Sequence, residues 1–446
     1  MMVGNSMSGA AASLRTAAPP EQDRGGADSG PCRETSRGLA CSGDVSSRAK
    51  GAAVGASDWN LPFPREEYED RLRRVRAAMA ARGLDLLYVT SPPNLTYLLG
   101  HESVWFDGRN VTGLAVPLDG DCVYFDTYDH EPGWPPTVRD AVTYGRHGFY
   151  YPEGPQVVAD TLRGRGLLGG RVGLEHWSWA PAGPALRELA RRLDAAGAGE
   201  VVDGSWVVDH VRLVKSEREL AYVREALAIA DAVYESLREA LRPGMTEHEV
   251  DALIAYEARR RGSDEPGIRP MVRSGPRTAA FHGMPGDRRL QQGDLVMVDL
   301  CAARHHYHGN TARAFSLGGD ERWQRVLAQL EAILWETTAA VRPGDPTMRL
   351  QRLMDEQVDA AGLRDLVWWV GGYALGIAHP PDWVGHVYLN DEEGFEPGRF
   401  DPGFVANWEV QLWEPPTAGV GIIDTMITTA DGIELPARFP RGLTVV

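Results

Sequence analysis

The sequence predicts two folded units, an α/β domain followed by a duplicated α+β domain. Three observations carry this reading. Between Pro64 and Val208, short apolar runs alternate with stretches of helical spacing, the pattern of strands packed against helices. From Val211 onward, a helix–turn–helix pattern occurs and then returns 100 residues later. Between its two copies lies the segment from Val272 to Leu317, whose centre, Asp294 to Leu300, is a continuous apolar run with β-branched residues. Such a run reads as a buried strand. A length of 446 residues accommodates two or three domains at roughly 100–200 residues each.

Residues 1–57 are rich in Gly, Ala, Ser and Arg and carry almost no aromatics. This is the composition of a disordered tail, which contributes nothing to a core. The first domain then spans residues 58–208. Tyr68, Leu72, Val75 and Met79 recur at helical spacing, and Gly83 follows as a C-terminal stop. Leu86 to Val89, Val111 to Val116 and Cys122 to Phe125 read as strands, as do Val172 to Leu174 and Glu200 to Val202, with a helix over Pro184 to Leu193. Between two of these strands lies His101 to Asn110, which places Trp105, Phe106 and Arg109 in a loop suited to ligand contact.

The second domain spans residues 209–446. Ser216 with Glu219 and Thr246 with Glu249 each form a capping box ahead of an amphipathic helix. Arg242-Pro243-Gly244 is matched by Arg342-Pro343-Gly344, Val250 by Leu350, Leu253 by Leu353 and Gly262 by Gly362. A duplicated unit of this kind predicts a sheet between two helical pairs, with a cleft at the pseudo-symmetry axis. The central strand carries one acidic residue, Asp299, in apolar company. Asn310, Arg313 and Phe315 follow on a second strand, and His282 sits upstream in a Phe-His-Gly-Met-Pro turn. A buried carboxyl without a partner is costly, so a carboxylate, an amide and a histidine converging here mark a candidate site.

The net charge is -16 and no Lys/Arg block stands out, which argues against nucleic acid as a partner. An acidic body is compatible with cationic or zwitterionic small substrates. Four scattered cysteines, Cys32, Cys41, Cys122 and Cys301, provide neither a disulfide framework nor a zinc site. Cys301 reads as a small buried residue. No apolar run approaches the ~18 residues of a membrane helix, and the start lacks a basic-then-apolar leader. A cytoplasmic protein without a membrane partner is expected.

Several of these segments together resemble a known family. SGPRTAAFHGMP, GDLVMVDL, the paired Arg-Pro-Gly helices and the closing GIIDTMITTADGIELP look like the pita-bread fold of creatinase, prolidase and aminopeptidase P, the M24-like family. The resemblance covers about Pro64 to Leu435. It implies an α+β pita-bread catalytic domain preceded by a smaller α/β creatinase-type N-terminal domain. Peptidases of this family bind two divalent metals through Asp, Asp, His, Glu and Glu. Carried over, these positions fall on Asp299, Asn310, Tyr373, Glu409 and Ile423. Two carboxylates, an amide, a phenol and a hydrocarbon are a poor donor set for hard divalent ions. The resemblance therefore points to no metal and no other cofactor, as in creatinase. A mononuclear site rebuilt from His305, His306, His308, His379 or His386 is the alternative.

In the metal-free branch the resemblance makes His282 and Glu409 the catalytic acid–base pair. Imidazole as a residue type titrates near neutrality and can shuttle a proton between water and a leaving nitrogen. Asp299, Asn310, Tyr373 and His379 are expected to bind substrate, with Asn310 and Tyr373 donating to a developing oxyanion. GYALGIAHPPDW, Gly372 to Trp383, resembles the ectoine hydrolase branch, with Val384-Gly385-His386 departing from that branch's Gly-Glu. In creatinase-like homodimers the loop matching His101 to Arg109 reaches the partner's cleft. Trp105, Phe106 and Arg109 are therefore expected to complete a composite site, with Arg gripping a planar carboxylate. The expected function is metal-independent hydrolysis of a C–N bond in a small amidine-, guanidine- or amide-containing amino-acid derivative. A lyase or cyclising enzyme on a similar substrate, a metal-dependent Xaa-Pro dipeptidase and a binding module on a dead peptidase remain the alternatives.

Overall fold

The structure, a computed structural model, describes residues 60–103, 106, 108–127, 134–145, 152–389 and 398–446. The tail expected over residues 1–57 and the candidate Trp105 lie outside them.

The first domain runs α1 (Arg65–Ala81), β1 (Leu86–Val89), α2 (Pro92–Leu99), β2 (Gly113–Pro117), β3 (Val123–Thr127), β4 (Ala141–Tyr144), α3 (Gly154–Gly164), β5 (Arg171–Leu174), α4 (Gly183–Ala195), β6 (Glu200–Asp203) and α5 (Val207–Val211). Its described strands form a mixed sheet in the order β4-β3-β2-β1-β5-β6. The central strand shows why its sequence is a plain apolar run. Leu86 and Tyr88 pack with Val158 and Leu162 of α3 and Leu189 of α4. Leu87 and Val89 pack on the other face with Val75 and Met79 of α1. A strand covered on both faces loses its polar alternation.

That second cluster does not stop at the first domain. It continues through Leu220 and Val223 into Tyr307 and Val405. A division at 208–209 falls inside α5, whose Val207 and Val208 belong to the same cluster. A polar knot crosses the same boundary. Arg71 of α1, 1% exposed, donates to the Tyr97 carbonyl at 2.8 Å and to the Tyr307 hydroxyl at 3.1 Å. Tyr307 in turn donates to Glu219 at 2.6 Å, and Arg71 sits 3.4 Å from the same carboxylate.

The second domain contains α6 (Glu217–Ala240), α7 (Glu247–Arg259), β7 (Met271–Ser274), β8 (Leu295–Arg304), β9 (Tyr307–Ser316), α8 (Glu321–Ala340), α9 (Thr347–Ala360), β10 (Val367–Gly371), β11 (Val405–Glu414), β12 (Ala418–Thr428), β13 (Ile433–Glu434) and β14 (Thr444–Val445). Both capping boxes form as the sequence predicts, Ser216 with Glu219 and Thr246 with Glu249. The repeat is also present: α6–α7 precede β7-β8-β9, and α8–α9 precede β10-β11-β12. The repeated glycines, Gly244 and Gly344, have φ of 94° and 86°, a left-handed conformation that a side chain disfavours. The main sheet order is β10-β11-β12-β9-β8-β7.

Both helix pairs lie on one face of this sheet. Val296, Val298 and Leu300 of β8 pack with α6 and α7, while Trp408, Val410 and Leu412 of β11 pack with α8 and α9. The alternate residues, Asp299 on β8 and Asn407, Glu409 and Gln411 on β11, therefore point to the opposite face. Arg313 falls on the helix side, opposite to Asn310 on the same strand, because the two are an odd number of residues apart. There its guanidinium donates to Asp424 at 2.8 Å, and Arg441 donates to the same oxygen at 2.8 Å.

Asp424→Ala would strand two buried guanidiniums, Arg313 and Arg441, without a counter-charge. Breaking one side of a buried ion pair costs about 3–5 kcal/mol. A urea-unfolding free energy lowered by that amount is expected, and an unchanged value would show that the triad contributes nothing.

Candidate active site

The site is built from one cross-strand row. Asp299 pairs with Ala312, Ala312 with Ile423, and Ile423 with Glu409. Directly opposed residues share a face, so two carboxyl groups flank an alanine and an isoleucine on the face away from the helices. Both carboxyls are buried. Asn310 donates through Nδ2 to Asp299 Oδ1 at 2.8 Å and accepts from Asn407 Nδ2 at 2.8 Å. Gln411 donates to Glu409 Oε1 at 3.1 Å. Two further amide oxygens, Asn407 Oδ1 and Gln411 Oε1, are buried and accept no hydrogen bond among the described residues.

Burial dominates the electrostatics, because it disfavours the charged form of each acid. It pushes Asp299 up to about 6, against the opposing effect of the Asn310 hydrogen bond. Glu409 is pushed up to about 8, first by burial and then by the Asp299 charge. Both shifts favour a proton on the pair near neutral pH, more strongly on Glu409 than on Asp299. Arg273 of β7 faces both carboxyls, and burial lowers its guanidinium to about 10. Tyr373 lies near both as well: burial, then the charges of Glu409 and Asp299, raise its phenol well above the ordinary value. The Trp383 indole donates to the Tyr373 hydroxyl at 3.0 Å, and Asn407 donates its backbone N–H to the Tyr373 carbonyl at 2.9 Å. The Pro-Pro-Asp-Trp run thus fixes the phenol over the carboxyl pair.

The structure brings together Asp299, Asn310, Tyr373 and Glu409, but it separates the remaining candidates. His282 is exposed and lies edge-on to Trp368, ring centres 5.4 Å apart. No hydrogen bond joins it to Glu409 among the described residues. Its segment is nevertheless tied to the site, because Arg273 donates to the Phe281 carbonyl and Glu247 accepts from the Gly286 N–H at 3.0 Å. Phe106 is buried in the apolar cluster that spans both domains, edge-on to His101. Arg109 is exposed on that domain. His379 bonds to Thr96 at 2.9 Å rather than reaching the carboxyl pair. Cys301 is buried, and burial raises its thiol well above the ordinary value, as suits a core residue.

Three contributors escaped the sequence reading: Arg273, Asn407 and Gln411. A signal for two of them was present, since Asn-Trp-Glu-Val-Gln over 407–411 alternates polar and apolar, the period of a strand with one polar face.

The five positions that the family resemblance assigns to a dinuclear centre do not fit one. Ile423, 1% exposed, stands in the row between the carboxyls and offers no donor atom. The Asn310 amide turns its N–H toward Asp299, and its oxygen is already engaged by Asn407. Tyr373 replaces the imidazole. Nor do histidines rebuild the centre: His305 packs on Tyr222, His386 stacks on Trp206, and His308 accepts from the Gly267 N–H. None of these hydrogen-bonds to Asp299 or Glu409 among the described residues.

Comparison with known proteins agrees with this architecture. Residues 221–430 match the family described as metallopeptidase family M24, and residues 71–214 match the creatinase/prolidase N-terminal domain. The chain is 30% identical over 416 residues to the ectoine hydrolase of Halomonas elongata, covering 86% of this chain and 99% of that one. It is 28% identical over 379 residues to the Xaa-Pro dipeptidase of Pyrococcus furiosus, covering 84% and 99%. Among solved structures, a dipeptidase from Pyrococcus horikoshii superposes with a TM-score of 0.71 at 22% identity, covering 84% of this chain and all of that one.

The raised carboxyls make stability depend on pH. A carboxyl whose folded pKa lies above its unfolded value contributes stability below the unfolded pKa, and that stability is lost as pH rises through the folded pKa. Asp299 completes its loss by about pH 6, whereas Glu409 continues to about pH 8. Between pH 6 and pH 8 the protein is expected to lose about 2 kcal/mol through Glu409. Glu409→Gln should remove most of that slope. Urea midpoints at the two pH values measure it, and equal losses in both proteins would contradict a protonated Glu409.

Proposed function

We propose, for a chain that belongs to the metallopeptidase M24 family and carries a creatinase-type N-terminal domain, that it hydrolyses a C–N bond in a small amidine- or guanidine-containing amino-acid derivative without a metal. C–N hydrolysis follows the family and the ectoine hydrolase relative. The observation that carries the finer reading is the polar lining of the pair. The amide groups of Asn310 and Gln411 donate to the two carboxyls, and Ile423 occupies a position where the peptidases place a ligand. Asn407 Oδ1, Gln411 Oε1 and ionised Asp299 are acceptors without matching protein donors to spare. A cationic amidine or guanidine supplies the N–H groups that such a pocket lacks.

Asp299 then orients the substrate N–H groups and takes part in activating water, while protonated Glu409 gives its proton to the leaving nitrogen. The Tyr373 hydroxyl, with one acceptor position filled by Trp383, donates to the oxygen of the attacking water as it adds to the amidine carbon. His282, at the rim beside Trp368, exchanges protons between this site and solvent. The reading includes a homodimer in which the stretch around Trp105 and Arg109 completes the partner's cleft. No described helix is long and apolar enough to cross a membrane.

The test is a substrate panel of ectoine, creatine and an Xaa-Pro dipeptide, assayed after exhaustive chelation and again with added manganese. Product masses are recorded throughout. The expected result is chelator-resistant turnover of an amidine or guanidine with gain of one water. His282→Ala and Glu409→Gln should each lower the rate by about 10²-fold or more. Manganese-dependent cleavage of the dipeptide alone would overturn the reading in favour of a peptidase. A product without added water would favour elimination.

A further inference from the structure

We infer that Glu102, His306 and His379 form a single transition-metal site, of the zinc class, that clasps the two domains together outside the carboxyl pair. The three residues come from three separate places: the segment after α2, the turn between β8 and β9, and the segment carrying Tyr373 and Trp383. Their ligand atoms all lie within 4.8 Å of one another. Glu102 Oε2 is already 3.0 Å from His306 Nε2. A tetrahedral zinc with bonds of ~2.0–2.1 Å holds its ligand atoms roughly 3.4 Å apart, a spacing close to that of this cluster. Two histidines and a carboxylate leave a fourth position for water.

Four local features favour a metal over a simple ion pair. The His306 and His379 rings stack with centres 4.2 Å apart, which brings the two imidazoles side by side. His306 Nδ1 is buried with no hydrogen-bond partner, so protein groups do not complete this ring. The Thr96 hydroxyl gives its proton to the His101 carbonyl at 3.2 Å. His379 Nε2 is thus engaged by Thr96, at 2.9 Å, and Nδ1 is the ring nitrogen left for a metal. A ligating histidine is commonly oriented by this kind of second hydrogen bond.

The fourth feature is conformational. The β8–β9 hairpin closes on His305 and His306, with Arg304 paired to Tyr307. Both turn residues have positive φ, 49° and 64°. Such a two-residue turn strongly favours Asn-Gly, and left-handed histidine is a less favoured choice. The Asp264 carboxylate accepts from the His306 N–H at 3.1 Å, and the His306 carbonyl accepts from the Ala378 N–H at 3.1 Å. The turn is thus held where it presents its second imidazole to His379 and Glu102. Strain retained at one position is a mark of function.

The inference is independent of the carboxyl-pair chemistry. The full-length protein is stripped with chelator, incubated with Zn²⁺, gel-filtered and assayed for metal by plasma mass spectrometry. One equivalent per chain is expected, with a raised thermal midpoint, since a ligand bound only by the folded state stabilises it. Loss of outer partners alone weakens metal sites about 10–100-fold. Glu102→Gln and His306→Asn, the latter compatible with left-handed φ, should therefore each weaken zinc binding at least about tenfold. The thermal midpoints of the metal-free variants report that they still fold. Asp299→Asn should retain its zinc. Wild-type protein that keeps no zinc, or variants that keep as much as wild type, would overturn the inference. Zinc lost from Asp299→Asn but kept by Glu102→Gln would overturn it too, and would also restore the peptidase metal position.

Discussion

Two carboxyl groups buried on one row of a sheet are the constraint around which this molecule is arranged. Glu409 and Asp299 sit at the ends of a row whose middle members are Ile423 and Ala312. Both acids are buried, and among the described residues no cation forms a salt bridge with either, Arg273 facing them from farther away. The protein meets this cost with a shared proton and with amide donors, Asn310 on one side and Gln411 on the other. The strand pleat supplies the rest. By sending Val298, Val410 and their neighbours toward the helices, it turns every second residue of β8 and β11 into site lining.

The two domains are joined by a continuous core as well as by a polar knot. Arg71, Tyr307 and Glu219 satisfy one another across the boundary, inside an apolar cluster that runs from α1 to β11. An inter-domain contact of this kind is closer to the interior of one domain than to a transient surface. The segment over the site is held by both halves: Tyr373 by Trp383 and Asn407, and His379 by Thr96 of the first domain. Rigid support of this sort is what an acid–base site needs, since misplacement of a proton donor by about 1 Å can cost orders of magnitude in rate.

The family resemblance and the local chemistry answer different questions. A fold similar to that of prolidases fixes where a site can be built, and the side chains decide what it does. Here one apolar side chain, one amide and one phenol replace three charged or imidazole donors. The surrounding hydrogen bonds accommodate those replacements, with Asn407 turned to Asn310 and Trp383 turned to Tyr373.

The sequence by itself determined the two-domain order, the capped helix pairs and the repeated Arg-Pro-Gly turns. These are local signals, or motifs at short spacing, and each is written in neighbouring residues. Only the tertiary structure decided which face a residue joins and which distant segment it meets. It moved Arg313 under the helices, buried Phe106 in the first domain and set His282 at the rim beside Trp368. It also drew in Arg273, Asn407 and Gln411, and brought Glu102, His306 and His379 from three separate segments to one point. Cross-strand register and inter-domain packing set those meetings, and both depend on contacts between residues hundreds of positions apart.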